Sequence, residues 1–150
     1  GYTHKARVGW IKTDGTGNKY PLSFKQFGRR VSYVVAAGSN VAGLPSLASG
    51  TAGNISTPTW AAVSVTGAVP TTAATIRLLG LAPANGNALM AAPNNAYGAY
   101  NSTTNPAPYY NNATTSQTLA IPGEFMLEST SIYWAAVTGY LFCTGWEDNL

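Results

Sequence analysis

Side chains able to do proton, nucleophile or metal chemistry are scarce in this sequence of 150 residues, so each can be weighed on its own. A nucleophilic triad needs a base that titrates near neutrality, oriented by a third group. The only histidine is His4, too close to the start of the chain to be well held. Zinc takes several Cys, His or carboxylate ligands, and Cys143 is the only cysteine, so no triad and no zinc site is expected. With a single cysteine there is also no intrachain disulfide, and Cys143, inside an apolar run, reads as a small buried hydrophobe.

The acidic residues are Asp14, Glu124, Glu128, Glu147 and Asp148. Glycoside hydrolysis needs two carboxylates across one sugar bond. On an extended strand Glu124 and Glu128 would share a face about 13 Å apart, too far for either known geometry. Glu147 and Asp148 lie near the chain end, where solvation is the default. The loop Asp14-Gly15-Thr16-Gly17-Asn18 offers one carboxylate where calcium needs six to eight oxygens, and reads as a turn. No strand-to-helix unit surrounds Gly15 and Gly17, so they make no phosphate loop. No catalytic residue, metal site or cofactor is expected, and a hydrolase is the least favoured reading.

Binding chemistry is better supplied. Tyrosine offers a rigid amphipathic face and asparagine adaptable hydrogen bonds. Tyr97, Tyr100, Asn101, Tyr109, Tyr110 and Asn111 concentrate both, with Asn94, Asn95 and Asn112 beside them. Rings against sugar faces and amides to hydroxyls would make a glycan-binding surface. The competing reading has these tyrosines packing their own loop onto the body of the fold, and composition does not choose between the two.

Charge is low and unevenly placed. Only 9% of residues are charged, against about 25% in ordinary soluble domains. Lys5, Arg7, Lys12, Lys19, Lys25, Arg29 and Arg30 crowd the first thirty residues with Asp14 alone opposing them; from Val31 to Gly123 Arg77 is the single charge. Nucleic-acid binding is not expected, because phosphate contacts need cations converging on one groove, and a hairpin would split this cluster between two faces. Lys5, Arg7, Lys12, Arg29 and Arg30 are instead candidates for docking an acidic protein neighbour. Ser, Thr, Asn and Gly replace ions as the solubilising coat. Two settings fit such a neutral surface, namely a large assembly with much of the middle between subunits, and a secreted domain. No apolar stretch reaches the length of a membrane-spanning helix, and the start of the chain lacks a signal-peptide pattern.

The elements that must position these residues read as strands. Sixteen glycines and nine prolines leave no long helical period. Candidate strands are Ala6–Thr13 and Lys19–Phe24 as a hairpin, Arg29–Ala37, Thr59–Val65, Ala74–Leu81, Gln117–Ile121 and Glu124–Glu128. Ser131–Val137 and Tyr140–Trp146 are expected to close the chain as a hairpin turning at Thr138-Gly139, apolar on both faces and covered on one of them by another subunit. Residues 83–118 read as one extended Tyr/Asn-rich loop segment, a length that in a compact domain implies function. The expected fold is a single all-β domain over 1–150, a jelly-roll-like β-sandwich of about nine strands.

Several stretches carry a family resemblance. Val8-Gly9-Trp10-Ile11-Lys12-Thr13-Asp14-Gly15-Thr16-Gly17, Phe27-Gly28-Arg29-Arg30-Val31, the Trp60 segment, Val69-Pro70 to Leu78, and Ile132-Tyr133-Trp134 to Thr144-Gly145-Trp146-Glu147 resemble small tailed-bacteriophage virion proteins. The likeness covers about two thirds of the chain and excludes the Tyr/Asn segment. It implies a sandwich or jelly-roll protein of tail, fibre or head surface. Such a protein is commonly homotrimeric and attaches to other virion proteins or to a host glycan or protein. The alternative is a free-standing carbohydrate-binding module, for which oligomerisation would be dispensable.

Overall fold

The structure, a computed structural model, describes residues 11–13, 17, 22–35 and 43–149. Among them are nine strands and no helix: β1 (Phe24–Phe27), β2 (Arg30–Tyr33), β3 (Ser46–Ala52), β4 (Ala61–Ser64), β5 (Ala73–Ala82), β6 (Ala88–Ala92), β7 (Tyr109–Asn112), β8 (Leu119–Met126) and β9 (Ser131–Asp148). The all-β expectation holds. Antiparallel ladders join all nine into one curled sheet, in which β1, β2, β9, β5 and β8 follow one another, β3, β4 and β6 also pair with β9, and β7 pairs with β6.

The closing hairpin expected around Thr138-Gly139 does not exist; β9 runs through that point as one strand of 18 residues. Five strands hold it. Along one edge β4 pairs with Ser131–Trp134, β3 with Ala136–Phe142 and β2 with Gly145–Glu147. Along the other, β6 pairs with Tyr133–Ala136 and β5 with Tyr140–Asp148. Gly139 serves close packing rather than a turn: a Cβ there would lie 2.6 Å from Leu89 Cδ2 and 3.3 Å from the Leu81 carbonyl oxygen.

Irregularities in β9 explain why its sequence looked apolar on both faces. Each β-bulge inserts a residue and reverses which face later side chains meet. Register shifts fall between Ala136 and Gly139 opposite β3, and between Cys143 and Gly145 opposite β5. The inward positions therefore change parity twice, from Ile132, Trp134 and Ala136, to Leu141 and Cys143, to Trp146, and all belong to one buried cluster. The Val137 carbonyl at the first irregularity accepts from Thr51 Oγ1 at 2.6 Å and Thr138 Oγ1 at 2.7 Å. Ile76 and Leu78 of β5, Leu89 and Ala91 of β6 and Val31 of β2 complete that core, and Tyr33 packs on Trp146 with ring centroids 5.5 Å apart.

Other expectations are met in part. The candidates at Thr59–Val65 and Ala74–Leu81 correspond to β4 and β5. Gln117–Ile121 and Glu124–Glu128 merge into β8, where Pro122 is tolerated because β8 pairs only with β5 and leaves an edge free for a residue without an N–H. Residues 83–118 are not one loop, since β6 and β7 form an antiparallel pair inside them. The first hairpin lies outside the described residues except at 11–13, 17 and 22–24, where Leu22 N–H donates to the Lys12 carbonyl at 2.7 Å.

Two outcomes follow from this packing. Leu89 is fully buried and cannot retreat, so Gly139→Ala is expected to cost about 1–3 kcal/mol by overpacking, read from urea unfolding midpoints. Burial pushes the Cys143 thiol pKa up to about 12, so a thiol-specific reagent at pH 8 should label it only after denaturation.

Candidate binding surface

Alternation along β7 divides the Tyr/Asn candidates. Tyr109 and Asn111 point into the main core, 4% and 0% exposed, whereas Tyr110 and Asn112 face the other way. β7 has no backbone ladder to β5 or β8, and the two inward side chains substitute for it. Tyr109 Oη accepts from Gly80 N–H at 3.0 Å and donates to the Ile121 carbonyl at 2.5 Å. Asn111 Nδ2 donates to the carbonyls of Gly80 and Leu119, each at 2.9 Å. Room for the phenol ring comes from two glycines set diagonally on β5 and β8, Gly80 opposite Ile121 and Gly123 opposite Leu78: a Cβ on Gly80 or on Gly123 would come within 2.3 Å of a Tyr109 atom. The expectation that Tyr109 and Asn111 meet a ligand is therefore corrected, because both side chains are buried and the Tyr109 hydroxyl and Asn111 Nδ2 join β7 to the sheet, while the buried Asn111 Oδ1 has no partner among the described residues.

Tyr100 and Tyr110 are brought together on the opposite side of β6, β7 and β9, with Tyr97 and Asn101 on the same segment as Tyr100. The segment 93–108 folds back over that side and closes a second, smaller core of Met90, Ala107 and Ala135, against which Ile55, Trp60, Tyr100 and Tyr110 pack half-buried. Tyr100 and Tyr110 stack with centroids 4.7 Å apart and planes at 21°. Trp60 Nε1 donates to the Tyr97 carbonyl at 3.0 Å, and Tyr100 N–H to the Ile55 carbonyl at 3.3 Å. The packing reading is met for Tyr100 and Tyr110, which fasten the segment to the sheet and stay half-buried, and Asn101 is exposed beside Tyr100.

Much of the asparagine content is architectural. Asn105 Nδ2 donates to the Ala96 carbonyl at 3.1 Å, its own carbonyl accepts from Gly98 N–H at 2.7 Å, and Ser102 Oγ donates to Asn105 Oδ1 at 3.0 Å. Asn94 Oδ1 accepts from Ala96 N–H at 2.8 Å while its amide donates to Glu128 Oε2 at 2.7 Å. Trp60 and Ile55, which sequence reasoning did not assign to this surface, arrive from the β3–β4 connection. There Asn54 Oδ1 accepts from the N–H groups of Ser56 and Thr57, both at 2.8 Å. The signal that could have found them is the Asn-x-Ser-Thr-Pro turn chemistry just before an isolated tryptophan. Beside Ile55 lies a neutral recess of about 260 Å³ lined by Thr51, Asn54, Ser56, Ala136 and Val137.

The charged candidates are drawn into internal pairs. Arg29 reaches Glu147 at 3.9 Å and donates to the Asp148 carbonyl at 2.8 Å, and Arg30 reaches Glu124 at 3.9 Å. Lys12 is half-buried, and Lys5, Arg7 and His4 lie outside the described residues. Asp148 is buried and accepts from Thr72 Oγ1 at 2.8 Å. No group of three or more His, Cys, Asp or Glu side chains able to hold a metal occurs among the described residues. Comparison with protein-family models, with curated proteins and with solved structures gives no match.

The Tyr109 hydroxyl predicts two behaviours. Tyr109→Phe leaves Gly80 N–H and the Ile121 carbonyl without that partner and should cost about 1–3 kcal/mol in urea titration, while Tyr110→Phe should be near neutral. Burial raises the Tyr109 pKa from 10.0 to about 12. The folded chain then keeps the phenol proton where the unfolded chain has lost it, so this contribution is intact below pH 10 and disappears as pH rises from 10 to about 12. Tyr109→Phe should flatten that part of the alkaline stability profile.

Proposed function

We propose that this chain is a non-catalytic structural and attachment domain of a bacteriophage particle. In this reading it is a tail-fibre, tail-tip or head-fibre component that works as a homo-oligomer, with a trimer favoured. It meets its host receptor through the surface of Tyr97, Tyr100, Asn101, Tyr110 and Trp60. The observation that carries this reading is the stacked, half-buried Tyr100–Tyr110 pair on a segment locked by its own asparagines. Pre-ordered rings and amides lose little entropy on binding, and no charged side chain occurs between Leu78 and Gly123 to compete with neutral recognition.

The virion setting is supported by the resemblance of the flanking stretches and by apolar side chains left open to solvent. Phe27 at the tip of the β1–β2 hairpin is 92% exposed and Met126 on β8 is 70% exposed, the kind of residues that subunit contacts cover. Because Arg29 and Arg30 already have internal partners, docking of an acidic virion neighbour rests mainly on Lys5, Arg7 and Lys12. The free-standing carbohydrate-binding module remains the second reading, favoured by the neutral recess of Thr51, Asn54 and Ser56 beside Ile55.

Light scattering on the purified chain separates the two: a stable trimer supports the virion reading, and a monomer that binds glycan supports the module. Replacing Tyr97 and Asn101 by alanine, away from the main core, should weaken attachment to host cells by about tenfold or more, with Tyr100→Ala adding to the loss. Unchanged attachment by a correctly folded Tyr97/Asn101/Tyr100 triple variant would end the assignment of this surface.

A further inference from the structure

Every asparagine in the sequence is followed by a residue that carries a side chain, except Asn85, which precedes Gly86. The pair forms the corner of the connection from β5 to β6. Asn87 N–H donates to the Ala84 carbonyl at 3.0 Å, and Gly86, third in that turn, has a φ of 80°, the conformation a type II turn reserves for glycine. Both Asn85 and Gly86 are exposed, and a Cβ on Gly86 would meet nothing within 4 Å. Asn54, Asn94, Asn105 and Asn111 each spend their side chains on hydrogen bonds, whereas the Asn85 amide makes none among the described residues.

An asparagine followed by glycine is set up for an intramolecular reaction. The backbone nitrogen of the glycine attacks the asparagine Cγ, and the new N–Cγ bond closes a succinimide ring; the Cγ–Nδ2 bond breaks, the amide proton passes to solvent and ammonia leaves. Water then opens the ring at one carbonyl to aspartate, or at the other to isoaspartate, whose backbone runs through the former side chain and is longer by a methylene. A side chain on the attacking residue obstructs the approach, and glycine has none. In this fold the attacking nitrogen is engaged elsewhere. Gly86 N–H donates to the Ala113 carbonyl at 3.0 Å, and Ala113 N–H donates to the Asn87 carbonyl at 3.0 Å. Ala113 is 1% exposed and directly follows β7, so the two bonds fasten the exposed corner to the end of the β6–β7 pair.

We propose that Asn85 is a self-modification site of this chain, converting to aspartate and isoaspartate at a rate governed by the Gly86–Ala113 hydrogen bond. While that bond is closed the nitrogen is held away from attack, and reaction proceeds from the locally opened corner, whose population depends on the cost of breaking the two bonds to Ala113. Conversion to isoaspartate then prevents re-closure, because the added methylene displaces Gly86 and Asn87 from Ala113. Either product also adds a negative charge to a stretch, Val31 to Gly123, in which Arg77 is otherwise the single charge. Loss of the two bonds releases the end of β7, the strand whose Tyr110 stacks on Tyr100. The modification does not depend on what the Tyr100–Tyr110 surface binds.

The test is incubation of the purified chain in mildly alkaline buffer, folded and unfolded in urea, followed by peptide mapping that separates asparagine, aspartate and isoaspartate. Asn85 should convert before any other asparagine, and about tenfold or more slowly in the folded chain than in urea, with matching hydrogen-exchange protection of the Gly86 amide. Conversion of another asparagine first in the folded chain, or an Asn85 that stays intact in both conditions, would overturn the site. Equal rates in the folded and unfolded chain would overturn the role of the Gly86–Ala113 bond. Asn85→Asp adds the charge without lengthening the backbone and should keep the Gly86 amide protected, whereas the isoaspartate form should lose that protection by about tenfold or more. Equal protection in those two forms would overturn the release of β7.

Discussion

An eighteen-residue strand must satisfy backbone hydrogen bonds along both edges and bury whichever face turns inward, and β9 meets that demand by recruiting five other strands. Every remaining feature hangs from it. The β5–β8 pair, the β6–β7 pair and the β1–β2 hairpin all connect to the sheet through the member that borders β9. Because two irregularities reverse its parity, Ile132, Trp134, Leu141, Cys143 and Trp146 share one core although strict alternation would send them to different sides. At about 25 cal/mol per Å² of apolar surface, burying these large side chains in one place is the main driving force that a chain poor in ion pairs has available.

A strand that splits its partners between two diverging pairs leaves a gap, and side chains fill it here. β7 reaches β5 and β8 through Tyr109 and Asn111, and the gap is narrow only because Gly80 and Gly123 carry no Cβ. Polar chemistry in the middle of the sequence is therefore partitioned by alternation: the odd members of β7 are structural, and the even member Tyr110 joins Tyr100 and Trp60 at the surface. The same economy governs charge. Arg29 and Arg30 pair with Glu147 and Glu124, which reach the same end of the sheet from strands far apart in sequence.

The all-β class was legible because glycine and proline spacing forbids long helices and because β4 and β5 alternate cleanly. β9 was misjudged at Thr138-Gly139 for a definite reason: a small residue inside an apolar run signals a turn or a close approach, and only the Leu89 side chain, distant in sequence, shows which. β3 and β6 escaped notice since Ser46–Ala52 and Ala88–Ala92 are built of small residues with weak strand propensity, and they are strands because β9 and β7 pair with them. Of the candidate surface, the Tyr/Asn concentration located the segment, but which tyrosines face outward depends on the register of β7 against β6. The lateral row of Ser32, Gly145, Arg77 and Glu124 was invisible in sequence, since these residues meet only across four strands.

The continuity of β9 through residues 136–141 is the claim on which the account stands, and backbone nuclear Overhauser contacts measure it directly. A single spine predicts contacts from Gly139 to Gly50 and from Tyr140 to Leu81, on opposite edges, with none between Val137 and Tyr140 across a turn. A Val137–Tyr140 turn contact, with Ser131–Val137 paired to Tyr140–Trp146, would restore the hairpin and contradict the fold described above.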